Sequence, residues 1–259
     1  MRVCLWQRSP AFFVDKYQNA LNFWLMDQNT IRHLNQINRD FYQTSAASFD
    51  ETRRTPWPGW LHLLPYLQAP TSVLDVGCGN GRLGVFLAQH CQPLVYHGVD
   101  NNQPLLDRAR EALAEMEHVT LEERDIVENP PDSGAYDLVT LFGVIHHIPG
   151  SARRQALLSQ LAQHVKPGGI LAFACWRFWE NERFRQRIIP WPETIKVESN
   201  DFLLDWRLGE TAMRYCHYVD DAEHRLLVAA TGLTEVETFR ADGSDNQSNK
   251  YSILRREPT

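Results

Sequence analysis

Residues 71–100 read TSVLDVGCGNGRLGVFLAQHCQPLVYHGVD, and their pattern decides the fold. A short apolar run, Val73 to Val76, carries Asp75 inside it. Glycines follow on alternate positions, Gly77, Gly79 and Gly81, and then an amphipathic stretch through Leu83, Val85, Phe86 and Leu87. A second apolar run, Leu94 to Val99, closes on Asp100. Strand, glycine turn, helix, strand and acid make one βαβ unit whose ligand-binding end is marked by the glycines. There the backbone turns sharply and a ligand approaches the main chain, where any Cβ would intrude. An ionised carboxylate at the tip of the second strand accepts hydrogen bonds from both hydroxyls of a ribose. The stretch predicts a nucleoside-bearing cofactor bound to an α/β fold.

The spacing narrows the cofactor. A dinucleotide fingerprint reads G-x-G-x-x-G, whereas these glycines read G-x-G-x-G with Asp75 just ahead of them. A carboxylate at that place repels a pyrophosphate but suits a cationic amino acid, directly or through water. The set Asp75, Gly77, Gly79, Gly81 and Asp100 resembles the class I methyltransferases, which bind S-adenosylmethionine. The ammonium and sulfonium of that ligand account for the acid. The resemblance implies a Rossmann-like, mostly parallel sheet with a C-terminal antiparallel hairpin and helices on both faces. Asn101, Asp125, Ile126 and Phe142 join the expected cofactor-binding residues; from its place after a strand Asp125 accepts the adenine amino group with Ile126 against the ring, or is simply a surface acid after an edge strand.

Composition sets outer limits. A chain of 259 residues, 43% hydrophobic and 11% aromatic, builds an ordinary globule with a sizeable core. The formal charge of −6 announces no global basic field for nucleic acid, although a local patch or partner subunit supplies contacts in some proteins. Five scattered cysteines (Cys4, Cys78, Cys91, Cys175, Cys216) form no C-x-x-C pair. A reduced cytoplasm is therefore expected, with neither a disulfide framework nor a metal site. No apolar run approaches the ~20 residues of a membrane span.

Three regions are expected. Residues 1–25 mix aromatics and charges without a clean period, and Met26 is a candidate for the true start. Residues 26–70 read as a helical cover: Ile31, Leu34, Ile37, Phe41 and Tyr42 recur at helical spacing, in one or two helices over the cofactor mouth. Pro56-Trp57-Pro58 then forms a rigid loop, and Trp60 to Leu64 restarts a helix. Residues 71–259 are the cofactor-binding domain. Lys166-Pro167-Gly168-Gly169 is expected to stop a helix and turn the chain into a strand from Ile170 to Trp176. Residues 177–219, rich in aromatics and carrying Arg183, Arg185 and Arg187, read as an inserted lid with short helices. Aromatics among arginines suit a stacked base and its phosphates, or simply an accessory core with a solvated face.

The strand Tyr136 to Phe142 runs into Gly143-Val144-Ile145-His146-His147, which this topology puts beside the transferable methyl group. His146 or His147 there orients a substrate, donates to a carboxylate or takes a proton.

Further segments resemble the eukaryotic tRNA wobble-uridine carboxymethyl methyltransferases. They are Thr52-Arg53-x-x-Pro56-Trp57-Pro58, Val144 to His147, Asp201 to Trp206, Arg214-Tyr215-Cys216-His217 and a late asparagine. That resemblance implies methyl ester formation on a 5-carboxymethyluridine of a tRNA anticodon, with a small zinc-bearing activator subunit in some members. It also implies that Arg53, Arg214, His146 and His217 hold the carboxylate. This sequence departs from the pattern where Pro149 and Gly150 follow the histidines and where Cys216 replaces an aromatic. A methyltransferase for a small metabolite and a non-catalytic binding module of the same fold are the alternatives.

Overall fold

A computed structural model of the chain describes residues 26–51, 55–206 and 212–258. The N-terminal 25 residues, the question of Met26 as a start, and Arg53 all lie outside the described residues.

Apolar runs pair because each strand buries side chains on both faces between helices. The first five strands are β1 (Thr71–Val76), β2 (Leu94–Asp100), β3 (Val119–Glu123), β4 (Tyr136–Phe142) and β5 (Val165–Trp176). β6 (Ile188–Ile189), β7 (Asp201–Trp206) and β8 (Ala212–His217) form a separate three-stranded antiparallel sheet. β9 (Thr234–Ala241) and β10 (Asn249–Arg255) return to the main sheet, whose order is β3-β2-β1-β4-β5-β10-β9. β1 to β5 are parallel and β10 is antiparallel to both its neighbours. The chain works outward from β1 to β3 and then returns to β4 beside β1, so a ligand crevice opens at the carboxyl ends of β1 and β4.

Helices α1 (Gln28–Glu51), α2 (Arg82–His90), α3 (Gln103–Ala112), α4 (Ser151–Gln163), α5 (Glu182–Arg185) and α6 (Asp221–Thr231) surround this frame. One apolar layer gathers Leu63, Phe86, Leu87, Tyr96 and Leu106 on one side of the sheet. The other gathers Leu74, Leu157, Leu161, Phe173 and Leu227. α1 is one helix, started by Asp27, whose carboxylate accepts from the backbone N–H groups of Asn29 and Thr30 at 2.9 and 3.0 Å.

Three local expectations change. The stretch from Trp60 belongs to a 3-10 helix, Pro58–Tyr66, because Pro58 and Pro65 remove N–H donors from both its ends. Lys166 to Gly169 do not break the chain into helix, turn and strand; they bulge within β5, between the pairs Tyr136↔Val165 and Leu138↔Ile170. The inserted segment has only short helical turns, Phe178–Glu180 and α5, before it becomes sheet. Antiparallel pairing of Asp201–Trp206 with Ala212–His217 is the physical reason, since it satisfies the backbone of strands that are buried on both faces along Arg214 to His217.

An ion network ties this insert to the main domain. Arg154 on α4 is fully buried and donates to Glu198 at 2.5 Å and to Glu223 on α6 at 2.7 Å. His217 lies between Asp201 at 2.7 Å and Glu223 at 2.6 Å. Burial alone would lower the histidine's pKa, but its hydrogen bonds to Asp201 and Glu223 outweigh that and raise it. The resulting stability is complete below the unfolded imidazole's value of about 6.5 and is lost as pH rises through the higher folded value. Melting curves at pH 6 and pH 9 check this. Wild-type protein loses stability at pH 9, whereas His217→Gln removes that dependence and costs about 3–5 kcal/mol at pH 6 by unpairing buried acids.

Candidate functional site

β1 and β2 deliver the two acids to the crevice. Asp75, buried near the end of β1, accepts from the Tyr96 hydroxyl at 2.6 Å and the Thr140 hydroxyl at 2.7 Å. Burial pushes its carboxyl up to about 6 against the pull of those two donors. Asp100 accepts from the Gly79 N–H at 2.8 Å and the Asn102 N–H at 2.9 Å. Burial raises its carboxyl as well, and the backbone donors oppose the rise. Asp100 thus pins the glycine turn that faces Asp75.

Two of the glycines have separate reasons. Gly77 has φ +79°, and a Cβ on it would lie 2.2 Å from a methyl of Val144. Gly79 has φ +53°, and no atom lies within 4 Å of where its Cβ would be. Its open side lines a cavity of about 460 Å³, with Asp75, Asp100, Asn101, Ile126 and Phe142. A glycine cradle with open space before it, between two acids, fits a ligand with a cationic amino acid end and a ribose. Gly81 does not line the cavity; it packs on Ala109 of α3 and on Leu113 just after it, each 3.0 Å from a would-be Cβ, so it serves helix packing. Asp125 is also absent from the lining. It accepts from Asn35 at 2.8 Å and Arg39 at 3.1 Å, both on α1, and from the Val127 N–H at 3.0 Å.

The far end of the cavity carries the histidine pair and the insert. The 3-10 turn Ile145–His147 follows β4, and both histidines line the cavity. His147 Nδ1 lies 2.9 Å from the Tyr215 carbonyl, which only accepts, so Nδ1 holds the proton. His147 Nε2 lies 2.9 Å from the Tyr42 hydroxyl, its other hydrogen-bond partner. The ring is thus held with both nitrogens engaged. His146 packs its ring 4.1 Å from His147 and 5.5 Å from Trp176.

Arg214 enters the same cavity from β8, only 6% exposed. Its guanidinium sits 4.6 Å from the Trp176 ring, 5.4 Å from Phe41 and 5.5 Å from Trp206. Among the described residues no carboxylate pairs with it, nor with Arg183 and Arg187 of the insert, which line the cavity too. His217, expected beside Arg214, lies outside the lining. Alternation along β8 turns it to the opposite face, into the Arg154 network.

His146, His147 and Cys216 each offer a ligand atom within 4.8 Å of the others. The His147 nitrogens are already engaged, and burial pushes the Cys216 thiol up to about 12, so this set favours a neutral thiol over a bound cation. Glu198, Asp201 and His217 also cluster, but Arg154 supplies the positive charge there.

Sequence reading put a helix with Tyr42 over the cofactor mouth and noted a late asparagine, but singled out neither that helix's asparagines nor the β9–β10 loop as site residues. Asn35, Asn38 and Tyr42 line the cavity from α1, and Asn38 accepts from the Tyr215 N–H at 2.9 Å. The signal was present: they are polar residues on the same helical stripe as Leu34 and Phe41. The β9–β10 loop contributes Asp242, Gly243, Ser248 and Asn249. Nothing in its polar composition separates it from an ordinary connection.

Known proteins share this architecture. A family model described as a methyltransferase domain matches residues 74–171. The chain is 32% identical over 162 residues to the tRNA (carboxymethyluridine(34)-5-O)-methyltransferase ALKBH8 of Macaca fascicularis, covering 62% of this chain but 23% of that protein. The chain thus spans about a quarter of the length of that relative. It is 29% identical to a putative methyltransferase of Encephalitozoon cuniculi, covering 68% of this chain and 77% of that one. An S-adenosylmethionine-dependent methyltransferase structure from Methanosarcina mazei superposes with a TM-score of 0.62 at 18% identity, over 79% of this chain and 100% of that one. The N-methyltransferase NodS of Bradyrhizobium japonicum, solved with S-adenosyl-L-homocysteine, gives 0.54 at 18% identity, over 88% and 99%. The fold is that of the class I S-adenosylmethionine-dependent methyltransferases, and the sequence is related to tRNA-modifying members.

A raised Asp75 favours the protonated form and makes the ionised one costly to the free protein above pH 6. Asp75→Asn therefore stabilises the free protein at pH 8, by up to about 3 kcal/mol, while weakening S-adenosylhomocysteine binding at least ~10-fold. Chemical denaturation and calorimetry measure the two effects; a loss of both stability and binding would contradict this assignment.

Proposed function

We propose that this chain transfers a methyl group from S-adenosylmethionine to a carboxylate, and that the carboxylate belongs to a 5-carboxymethyluridine at a tRNA wobble position. The observation that carries the reading is Arg214: a nearly buried cation, caged by aromatic faces, without a carboxylate partner among the described residues. Desolvating such a charge is costly, and an anionic ligand offsets that cost. Asp75 and Asp100 are the residues to hold the cofactor's amino acid and ribose. When bound, the cofactor supplies a methyl on a cationic sulfur; transfer to a carboxylate oxygen forms an ester, leaves a neutral thioether and releases no proton.

No general base is then required, which agrees with a His147 whose two nitrogens are occupied. Arg214 aligns the carboxylate oxygen, and orientation accounts for much of the rate in such a displacement. Arg183 and Arg187, also without carboxylate partners among the described residues, suit phosphates near the mouth. The relatives named for carboxymethyluridine methylation support the acceptor.

The net charge of −6 favours a second reading, a small carboxylic acid as acceptor. Nucleoside mass spectrometry of tRNA from a deletion strain separates the two: the methyl ester disappears on the first reading and persists on the second. Arg214→Lys, which keeps the charge but loses the planar fork, is expected to lower kcat/KM at least ~100-fold with cofactor affinity unchanged. An active lysine variant would remove Arg214 from the acceptor site.

A further inference from the structure

The β9–β10 loop holds an amide whose direction is dictated by its neighbours. Asp242 is buried in left-handed backbone at φ 68°, a costly conformation for a residue with a side chain. Its carboxylate accepts from the Gly59 N–H at 3.0 Å on one oxygen. The other oxygen accepts from the Tyr251 hydroxyl at 2.5 Å and from Asn249 Nδ2 at 2.8 Å. A carboxylate offers no proton, so Asn249 must turn its NH₂ group toward it. The flipped amide would set oxygen against oxygen. The Asn249 carbonyl oxygen is left with no donor from any described residue, on a side chain that is 7% exposed and lines the cavity.

This acceptor lines the same cavity as Arg214. Asn249 pairs directly with Trp176 across β10 and β5, and Arg214 lies 4.6 Å over the Trp176 ring. The cavity thus carries a fixed hydrogen-bond acceptor from β10 and a positive charge from β8, with Trp176 in contact with both. The oxygen is not among the described buried polar atoms that lack a partner, so it opens to the cavity, where a ligand N–H can take the place of water.

We propose that Asn249 is a specificity-determining residue: its Oδ1 accepts an N–H from the methyl acceptor while Arg214 holds the carboxylate. The inference rests on the carboxylate reading above and deepens it. The acceptor class becomes a carboxylic acid that also carries an imide or amide N–H, as a pyrimidine 5-acetate does and a simple aliphatic or aromatic acid does not. Asp242 is the positioning residue that aims the amide.

The test compares an anticodon stem-loop bearing 5-carboxymethyluridine with its counterpart methylated at ring N3, which has lost the N–H. The wild type favours the first by at least ~30-fold, because a site built to bind an N–H rejects the analogue lacking it. Asn249→Ala loses at least ~10-fold in kcat/KM on the first substrate, chiefly through KM, and changes little on the second. Asp242→Asn shifts in the same direction by less. Melting temperature and S-adenosylhomocysteine affinity report that each variant is folded, and Asn249→Ser replaces the alanine variant should it melt early. Equal losses on both substrates, or none on the first, overturn the inference while leaving the carboxylate reading intact. A wild type that binds S-adenosylhomocysteine yet methylates neither substrate overturns that reading, and this inference with it.

Discussion

A carboxylate at the end of an apolar strand is tolerated only where something holds it, and the site is built around that constraint. Asp75 keeps its place through two hydroxyls, and burial leaves its carboxyl near 6. Tyr96 and Thr140, which supply them, belong to the two strands flanking β1, so the acid is locked to the centre of the sheet. The arrangement costs the free protein stability and gives it a ready partner for a cation. Asp100, one strand away, spends its hydrogen bonds on the glycine turn and so fixes the backbone between the two acids.

The remaining elements enclose that frame. α1 reaches Asp125 through Asn35 and Arg39, and His147 through Tyr42. One helix thereby ties the segments that follow β3 and β4 together. The insert brings Arg214 over Trp176 and is fastened behind by the buried Arg154 ion network. His217 and Arg214, close in sequence, serve these two different tasks because a strand presents them to opposite faces.

Much of this was legible in residues 71–100, because glycine and acid spacing is local and each residue's task follows from strand geometry. The mostly parallel sheet and the C-terminal hairpin agree with what the family resemblance implied. Asp75, Gly79, Asp100 and Arg214 come together in one cavity. What was not legible depends on contacts distant in the chain. Asp125 reads as an open acid at a strand end until α1, 90 residues earlier, arrives with Asn35. The role of Gly81 in helix packing requires Ala109 of α3 and Leu113 just after it. The insert reads as a lid with short helices, and its three-stranded sheet appears only through the pairing of β7 with β6 and β8. Asn249 acquires its orientation only from Asp242 and from Trp176 in the next strand.

Titration calorimetry of the purified chain at pH 8 with S-adenosylhomocysteine and, separately, NADH tests the central claim most directly. An acid-flanked glycine turn takes up the first ligand in one-to-one stoichiometry and gives no heat with the second. Saturable binding of NADH with none of S-adenosylhomocysteine would contradict the account at its root.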